Sequence, residues 1–204
     1  MGDFLRELFF RAQALVAIPI VRVLLRMKVH GPHIQPGPNG LIVAPNHLSW
    51  IDPLIIQIAV YPHRITFLMT ELFFDRPVIG LYFRAIGARP IREDGPSVGA
   101  LRASMQALRD GDVLCVFPEG SITPDGKPQK GQRGAARLAR KTGATVIPAG
   151  IRGTLQVISR VHRRPRLHPV AVELGEPMLF DKTPDRAGEV EFTEDLMARI
   201  GELS

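Results

Sequence analysis

Short apolar runs of strand length alternate along this chain with stretches whose apolar residues recur at helical spacing. Strands are predicted at 41–44, 65–69, 113–117, 145–151 and 170–174, with a further strand within 88–92. Helices are predicted at 52–60, 77–85, 97–109, 134–141 and 191–203. This alternation is typical of a layered α/β domain, in which helices pack on a central sheet.

The first 28 residues are largely apolar, but charged residues interrupt them at Arg6, Glu7, Arg11, Arg22 and Arg26. A charge near the centre of a bilayer costs roughly 2.5 to 3.5 kcal/mol, so this segment is a poor candidate for a membrane span. Its helical spacing favours an amphipathic helix that lies in the membrane interface, which Pro19 is expected to divide in two. An amphipathic helix packed on its own domain is the alternative. We therefore expect 1–30 to form membrane-docking helices and 31–204 to form the main domain.

The composition bounds the domain count and the kind of partner. With 204 residues, of which 45% are hydrophobic, the chain can bury one sizeable core and needs no second one. The net charge of +6 favours an anionic partner, such as nucleic acid, anionic lipid or a phosphorylated or CoA-like substrate. Basic stretches here lack the aromatic interleaving of nucleic-acid modules, so nucleic acid is not expected. The single cysteine, Cys115, lies in an apolar run and is expected in the core.

The sharpest candidate for chemistry follows the first predicted strand, where His47 precedes Asp52 by five residues. Loops at strand ends are where α/β sheets hold ligands. If the intervening turn folds back, the carboxylate fixes the histidine tautomer while the free ring nitrogen takes a proton from a hydroxyl group. The activated hydroxyl then attacks a thioester directly, without a serine nucleophile. The alternative is that Asp52, which precedes Pro53, only caps a helix.

Two further predicted strands also carry a candidate motif at or near the end of the strand. Phe117-Pro118-Glu119-Gly120 is followed by hydroxylated residues, so backbone N–H groups and side-chain donors are offered to a phosphate, and the glycine permits close approach. An ordinary polar turn is the alternative. Val146-Ile147-Pro148 lies in the next predicted strand, which also ends with Pro and Gly at its exit.

Together these blocks resemble those of the glycerophospholipid acyltransferases of the lysophosphatidate acyltransferase (PlsC-like) family. Asn46-His47 through Asp52 is similar to the family's Asn-His-x4-Asp motif, Phe117-Pro118-Glu119-Gly120 to its Phe-Pro-Glu-Gly block, and Val146-Ile147-Pro148 to its last motif. Their order and separations also agree, over roughly residues 30 to 175. The resemblance implies an α/β domain with a mixed, largely parallel central sheet flanked by helices.

The resemblance also implies a reaction and its participants. His47 would be the general base and Asp52 its orienting partner, in transfer of a fatty acyl group to the free sn-2 hydroxyl of lysophosphatidate. The donor would be acyl-CoA or acyl-carrier protein, with no metal or other cofactor. The acceptor would be held by Glu119, Gly120, Ser121, Thr123 and Lys130. We expect a peripheral or monotopic protein that contacts the anionic cytoplasmic face of a membrane.

Two departures from the family pattern concern the acceptor phosphate. Glu93 occupies the position where the second motif usually has an arginine, so Arg92 or Arg89 is expected to serve instead. Ile122 occupies the position of another arginine, which Thr123 and three later basic residues would replace. Those residues are Lys127, Lys130 and Arg133.

Other patterns leave alternatives open. Gly95-Pro96-Ser97-Val98-Gly99 matches the nucleophile elbow of serine hydrolases, but charged residues rather than a buried strand precede it. A thioesterase or hydrolase that uses Ser97, acylation of another lysophospholipid or of glycerol 3-phosphate, and a non-catalytic lipid-binding protein are the competing functions. His30 and His33 have a spacing that metals use, but surface histidines explain them better. The basic stretch at 160–168 is either a solvated loop or a contact for anionic headgroups or donor phosphates.

Overall fold

A computed structural model describes residues 11–12, 15–70, 80, 89–91, 98–123, 125–127, 129–159, 162 and 164–204. In this part of the chain the strands are β1 (Lys28–His30), β2 (Leu41–Pro45), β3 (Ile65–Thr70), β4 (Arg89–Ile91), β5 (Val113–Cys115), β6 (Thr145–Arg152) and β7 (Ala171–Leu174). The helices are α1 (Ala17–Leu24), α2 (Asp52–Ala59), α3 (Val98–Arg109), α4 (Gly134–Thr142), α5 (Thr154–Val157) and α6 (Arg186–Leu203).

The described strands form one sheet in the order β1-β7-β6-β2-β5-β3-β4. The five strands from β6 to β4 run parallel, β7 is antiparallel to β6, and β1 is parallel to β7. The predicted mixed, largely parallel sheet is therefore confirmed. Because β2, β5 and β6 run in the same direction, the loops that follow them emerge at one edge of the sheet, here called the carboxyl edge.

Two apolar clusters fill the two faces of the sheet. On one face, Leu41 and Val43 of β2 pack with Ile55 and Ile56 of α2. On the other face, the alternating residues of β2 pack with α4 and α6; these residues include Ile42, Ala44, Leu138 and Phe192. A strand covered on both faces reads as a continuous apolar run, which is why β2 could be predicted from its sequence.

Most predicted elements are found within two residues of their predicted bounds, and the differences have local causes. The helix predicted at 191–203 begins at Arg186, because Asp185 accepts a hydrogen bond from Gly188 N–H at 2.8 Å and caps it. The strand predicted at 113–117 ends at Cys115. The short elements β1 and α5 were not predicted. The helix predicted at 77–85 lies almost entirely outside the described residues.

The N-terminal segment enters the sheet through β1. Pro19 lies in the first turn of α1, and Leu25, directly after the helix, is buried in the core. Five aliphatic side chains of the helix and of the residues before it are exposed, whereas Val21 packs against the core. The exposed ones are Leu15, Val16, Ile20, Val23 and Leu24. Among the described residues, no helix has both the length and the apolar character needed to cross a membrane.

Candidate active site

Two loops at the carboxyl edge form the site, one after β2 and one after β5. Asn46 anchors the first loop, because its side chain donates to Ile151 O at 3.0 Å and accepts from Ile151 N–H at 2.7 Å. This pair of bonds joins the exit of β2 to the exit of β6. The sequence motif contained Asn46, but we did not predict this bracing role, since a pattern of residues does not reveal the partner.

His47 and Asp52 lie in contact. His47 Nδ1 is 2.9 Å from Asp52 Oδ2, and the same oxygen accepts from Leu48 N–H at 2.6 Å and Ser49 N–H at 2.7 Å. The Asp52 carboxylate is fully buried, and its other oxygen has no hydrogen-bond partner among the described residues. The turn from 47 to 52 therefore wraps around one carboxylate oxygen.

The simple capping role considered for Asp52 is wrong. Asp52 is the first residue of α2; the residue before it, Ile51, is the N-cap and makes no side-chain capping bond. The carboxylate binds N–H groups that precede the helix, while Pro53 occupies the first turn as predicted. Because these bonds point back along the chain, they shape the turn that carries His47 rather than complete the helix.

The imidazole of His47 is held by the carboxylate of Asp52 and by an aromatic ring. Its ring stacks on Phe117 with centroids 3.9 Å apart and 20° between the planes. His47 O accepts from Thr123 N–H at 3.0 Å. No described residue bonds to Nε2, and the side chain is 15% exposed. With Nδ1 on the carboxylate, this nitrogen is oriented to take a proton from a bound hydroxyl group.

Glu119 lies against the same turn. Its Oε1 accepts from His47 N–H at 3.1 Å, while Oε2 is buried without a partner among the described residues. Burial raises the pKa of the Glu119 carboxyl, an effect partly opposed by its bond from His47 N–H. The sequence did not predict this contact between the Phe117-Pro118-Glu119-Gly120 block and the histidine.

The turn after Glu119 uses much of its hydrogen-bonding capacity internally. Gly120 has a φ of 74° and donates its N–H to Phe117 O at 3.1 Å. Thr123 is buried, and its hydroxyl group bonds with Lys127 O at 2.9 Å and Asp125 Oδ1 at 3.2 Å. Ser121 is exposed. Gly120 is exposed as well, but its N–H group is bonded within the turn, so Ser121 is the residue of these three that can offer a donor to a bound phosphate.

Gln132 is a residue of this site that sequence reasoning missed. Its N–H donates to Pro118 O at 2.7 Å, and its side chain lies 3.5 Å from Glu119 O. The start of α4 is thereby joined to the turn that holds Glu119. A glutamine seventeen residues after the end of a strand carries no signal from which this contact could have been predicted.

The predicted phosphate-binding residues lie in different environments. Arg92 and Glu93 fall outside the described residues, and Arg89 is described only as part of β4. Arg133 forms an ion pair with Glu189, whose carboxylate oxygen is 3.2 Å from the guanidinium nitrogen. Lys130 is exposed and makes no ion pair with any described residue. No group of His, Cys, Asp and Glu side chains in the described ranges has a metal-binding arrangement.

The sequence is similar to those of known acyltransferases. The sequence model of the Acyltransferase family matches residues 26–152. A 1-acyl-sn-glycerol-3-phosphate acyltransferase of Bacillus subtilis is 25% identical over 180 residues, which are 87% of each chain. One from Streptococcus pneumoniae is 29% identical over 126 residues, which are 61% of this chain and 46% of that protein.

The fold also has a solved counterpart. The crystal structure of the 1-acyl-sn-glycerophosphate acyltransferase PlsC from Thermotoga maritima superposes with a TM-score of 0.71 at 22% identity, covering 98% of this chain and 95% of that one. The glycerolipid acyltransferase fold predicted from the motifs is thus confirmed.

Proposed function

This chain belongs to the Acyltransferase family, and we propose that it transfers a fatty acyl group from an acyl thioester to the free sn-2 hydroxyl of lysophosphatidate, which gives phosphatidate. The names of the Bacillus and Streptococcus relatives support this acceptor. The observation that carries the proposal is the 2.9 Å contact between His47 Nδ1 and Asp52 Oδ2, with Nε2 bonded to none of the residues that the structure describes.

The reaction follows from that contact. His47 Nε2 takes the proton of the acceptor hydroxyl as its oxygen attacks the thioester carbonyl carbon. The resulting imidazolium is stabilised by the buried carboxylate of Asp52. When the tetrahedral intermediate collapses, the carbon–sulfur bond breaks and the sulfur takes the proton from His47. The products are the ester and a free thiol, and His47 is neutral again.

We assign the substrate-binding residues from their positions in the sequence motifs. Glu119 and Gly120 form the floor beside the hydroxyl, with Ser121, Thr123 and Lys130 around it, and Arg92 or Arg89 holds the phosphate. Support for the first pair is the bond from His47 N–H to Glu119. The donor is acyl-CoA or acyl-carrier protein, since both present the same thioester, and no metal or other cofactor takes part.

The test compares wild type with His47→Ala and Ser97→Ala. Thiol release from a long-chain acyl-CoA is measured with and without lysophosphatidate. We expect acceptor-dependent release that only His47→Ala abolishes. Full activity of His47→Ala would refute the proposal, and acceptor-independent release that is lost in Ser97→Ala would support the hydrolase. A panel of lysophospholipids and glycerol 3-phosphate then distinguishes the acceptors.

We further propose that residues 1–30 bind the protein peripherally to the anionic cytoplasmic face of a membrane. The exposed aliphatic side chains of α1, among them Ile20 and Val23, support this role. Deleting the whole segment would also remove core and sheet residues, so point changes give a cleaner test. Ile20→Ser combined with Val23→Ser should reduce co-sedimentation with vesicles, and unchanged binding would refute this role.

A further inference from the structure

The basic stretch around residue 165 lies at the same edge of the sheet as the candidate active site. Arg152, the last residue of β6, pairs with Ala171, the first residue of the antiparallel strand β7. Residues 153–170 therefore leave and re-enter the sheet at its carboxyl edge. Ser49 of the histidine turn donates its hydroxyl to Ile158 O, which joins the two loops directly.

The N-terminal helix reaches this edge as well. Val170 N–H donates to Leu25 O at 2.9 Å, and Lys28 N–H donates to Val170 O at 3.0 Å. The end of α1 and the end of the basic stretch are thus bonded to each other. The carboxyl end of α1 therefore lies close to the end of the segment that carries residues 164–168.

Exposed apolar side chains occur on each of the three segments that meet here. Leu167 is 72% exposed, Val23 of α1 is 75% exposed, and Trp50 in the histidine turn is 47% exposed. Arg166 N–H donates to Val157 O at 2.9 Å, so the backbone around Leu167 is fixed against α5 while the side chain projects outward. Large apolar groups held out of the core on segments that are bonded to one another are typical of an interaction surface.

The two chain segments that contain α1 and residues 164–168 carry basic residues but no acidic ones. No Asp or Glu occurs between Glu7 and Asp52 or between Asp125 and Glu173. Arg164 and Arg166 are exposed, and neither pairs with an acidic side chain among the described residues. Several cations elsewhere are paired with a carboxylate, as Arg140 is with Glu189 at 2.9 Å. An unneutralised basic segment that carries an exposed leucine complements an anionic lipid surface.

We propose that residues 164–168 are a second membrane contact, which binds the headgroups of an anionic bilayer beside α1 and holds the carboxyl edge of the sheet against it. This proposal deepens the proposed function, on which it rests for the lipid acceptor. The two arginines supply attraction to the anionic headgroups, and Leu167 enters the interface. Contact at two points fixes the orientation of the site, which a single helix cannot do.

The experiment uses the full chain and two matched pairs of variants. Arg164→Gln combined with Arg166→Gln is compared with Lys141→Gln combined with Arg186→Gln, which removes equal charge from exposed positions near the opposite edge. Leu167→Ser is compared with Leu179→Ser. Leu179 is 63% exposed and follows Met178, which pairs with Val146 at the other end of β6, about 20 Å away.

Co-sedimentation is measured with vesicles of phosphatidylcholine alone and of phosphatidylcholine mixed with phosphatidylglycerol. Each arginine near an anionic surface contributes about a fivefold gain, so the double arginine variant should bind the mixed vesicles about thirtyfold less tightly. Leu167→Ser should lose up to about tenfold on both kinds of vesicle. The variants near the opposite edge should bind like wild type.

Three results would overturn the proposal: unchanged binding of the residue 164–167 variants, equal losses in the opposite-edge variants, or a raised KM for acyl-CoA with unchanged vesicle binding. The last result would assign the arginines to donor phosphates. Acceptor-dependent thiol release with detergent-dispersed substrates separates this proposal from the proposed function. It should persist in the residue 164–167 variants, whereas its survival in His47→Ala would contradict only the acyl-transfer mechanism.

Discussion

Asp52→Asn is the smallest change that removes the charge of the buried carboxylate while keeping its shape. The amide oxygen, placed where Oδ2 lies, still accepts from the N–H groups of Leu48 and Ser49, which lie 2.6 and 2.7 Å from that oxygen. The turn therefore keeps its conformation. What is lost is the attraction between the carboxylate and the imidazolium that forms when His47 takes the proton.

The size of that loss follows from the geometry. His47 Nδ1 and Asp52 Oδ2 are 2.9 Å apart. With charge centres roughly 4 Å apart and an effective dielectric constant near 20, the interaction is about 4 kcal/mol. Each 1.36 kcal/mol corresponds to about a tenfold change in rate, so kcat should fall about a thousandfold.

The assay is acceptor-dependent thiol release, with the thermal unfolding midpoint as a check on folding. Asp112→Asn is the matched control, because this carboxylate accepts from Thr66 Oγ1 at 3.0 Å near the amino end of β5, and its loss should leave kcat close to wild type. Combining Asp52→Asn with His47→Ala should be no slower than His47→Ala alone, since residues that act as a unit are non-additive. A kcat for Asp52→Asn within tenfold of wild type would refute the reasoning.

Two further predictions concern the turn after β5. Burial raises the pKa of the Glu119 carboxyl, so the folded state binds the carboxyl proton more tightly than the unfolded state does. The stability that the protonated carboxyl contributes is therefore lost as the pH rises from about 4.3, the value in unfolded chains, through the folded pKa. Over that pH range, the thermal unfolding midpoint of Glu119→Gln should rise relative to that of wild type. A difference that does not change with pH would contradict the raised pKa of Glu119. Gly120 has a φ of 74°, and a Cβ there would collide with Gln132 Nε2, so Gly120→Ala should cost about 1 to 2 kcal/mol in urea unfolding. Gly134→Ala, which meets nothing within 4 Å, is the control, and equal stability of the two variants would show that the turn is not strained.

The features of the site that could be predicted from the sequence are those that follow from the parallel pairing of its strands. β2 and β5 are paired and buried, so each reads as an apolar run, and the run ends where the chain leaves the core. Because the two strands are parallel, the residues after them meet at one edge. That rule alone brings His47 and Glu119 together, and the structure joins them through a backbone N–H bond.

The parts that could not be predicted depend on backbone direction and on distant partners. A five-residue spacing fits both a capping aspartate and a carboxylate that binds histidine. The choice is made by the N–H groups of Leu48 and Ser49, which turn inward onto Asp52 Oδ2. Strand β1 is only three residues long and borders the sheet because β7, far along the chain, pairs with it. No local pattern contains that information.

The reversal of direction between β6 and β7 determines which groups share the carboxyl edge. Had β7 been parallel to β6, a crossover would have carried the chain from Arg152 to the opposite edge before the strand began. The antiparallel pairing instead keeps residues 153–170 at the histidine turn, and the parallel pairing of β1 with β7 makes α1 enter from the same side. An acceptor with one acyl chain in the bilayer exposes its hydroxyl group only near the surface. A fold that brings His47 and Asp52, the pair proposed to abstract the proton, and both proposed membrane contacts to one edge would therefore let the acceptor react without leaving the lipid.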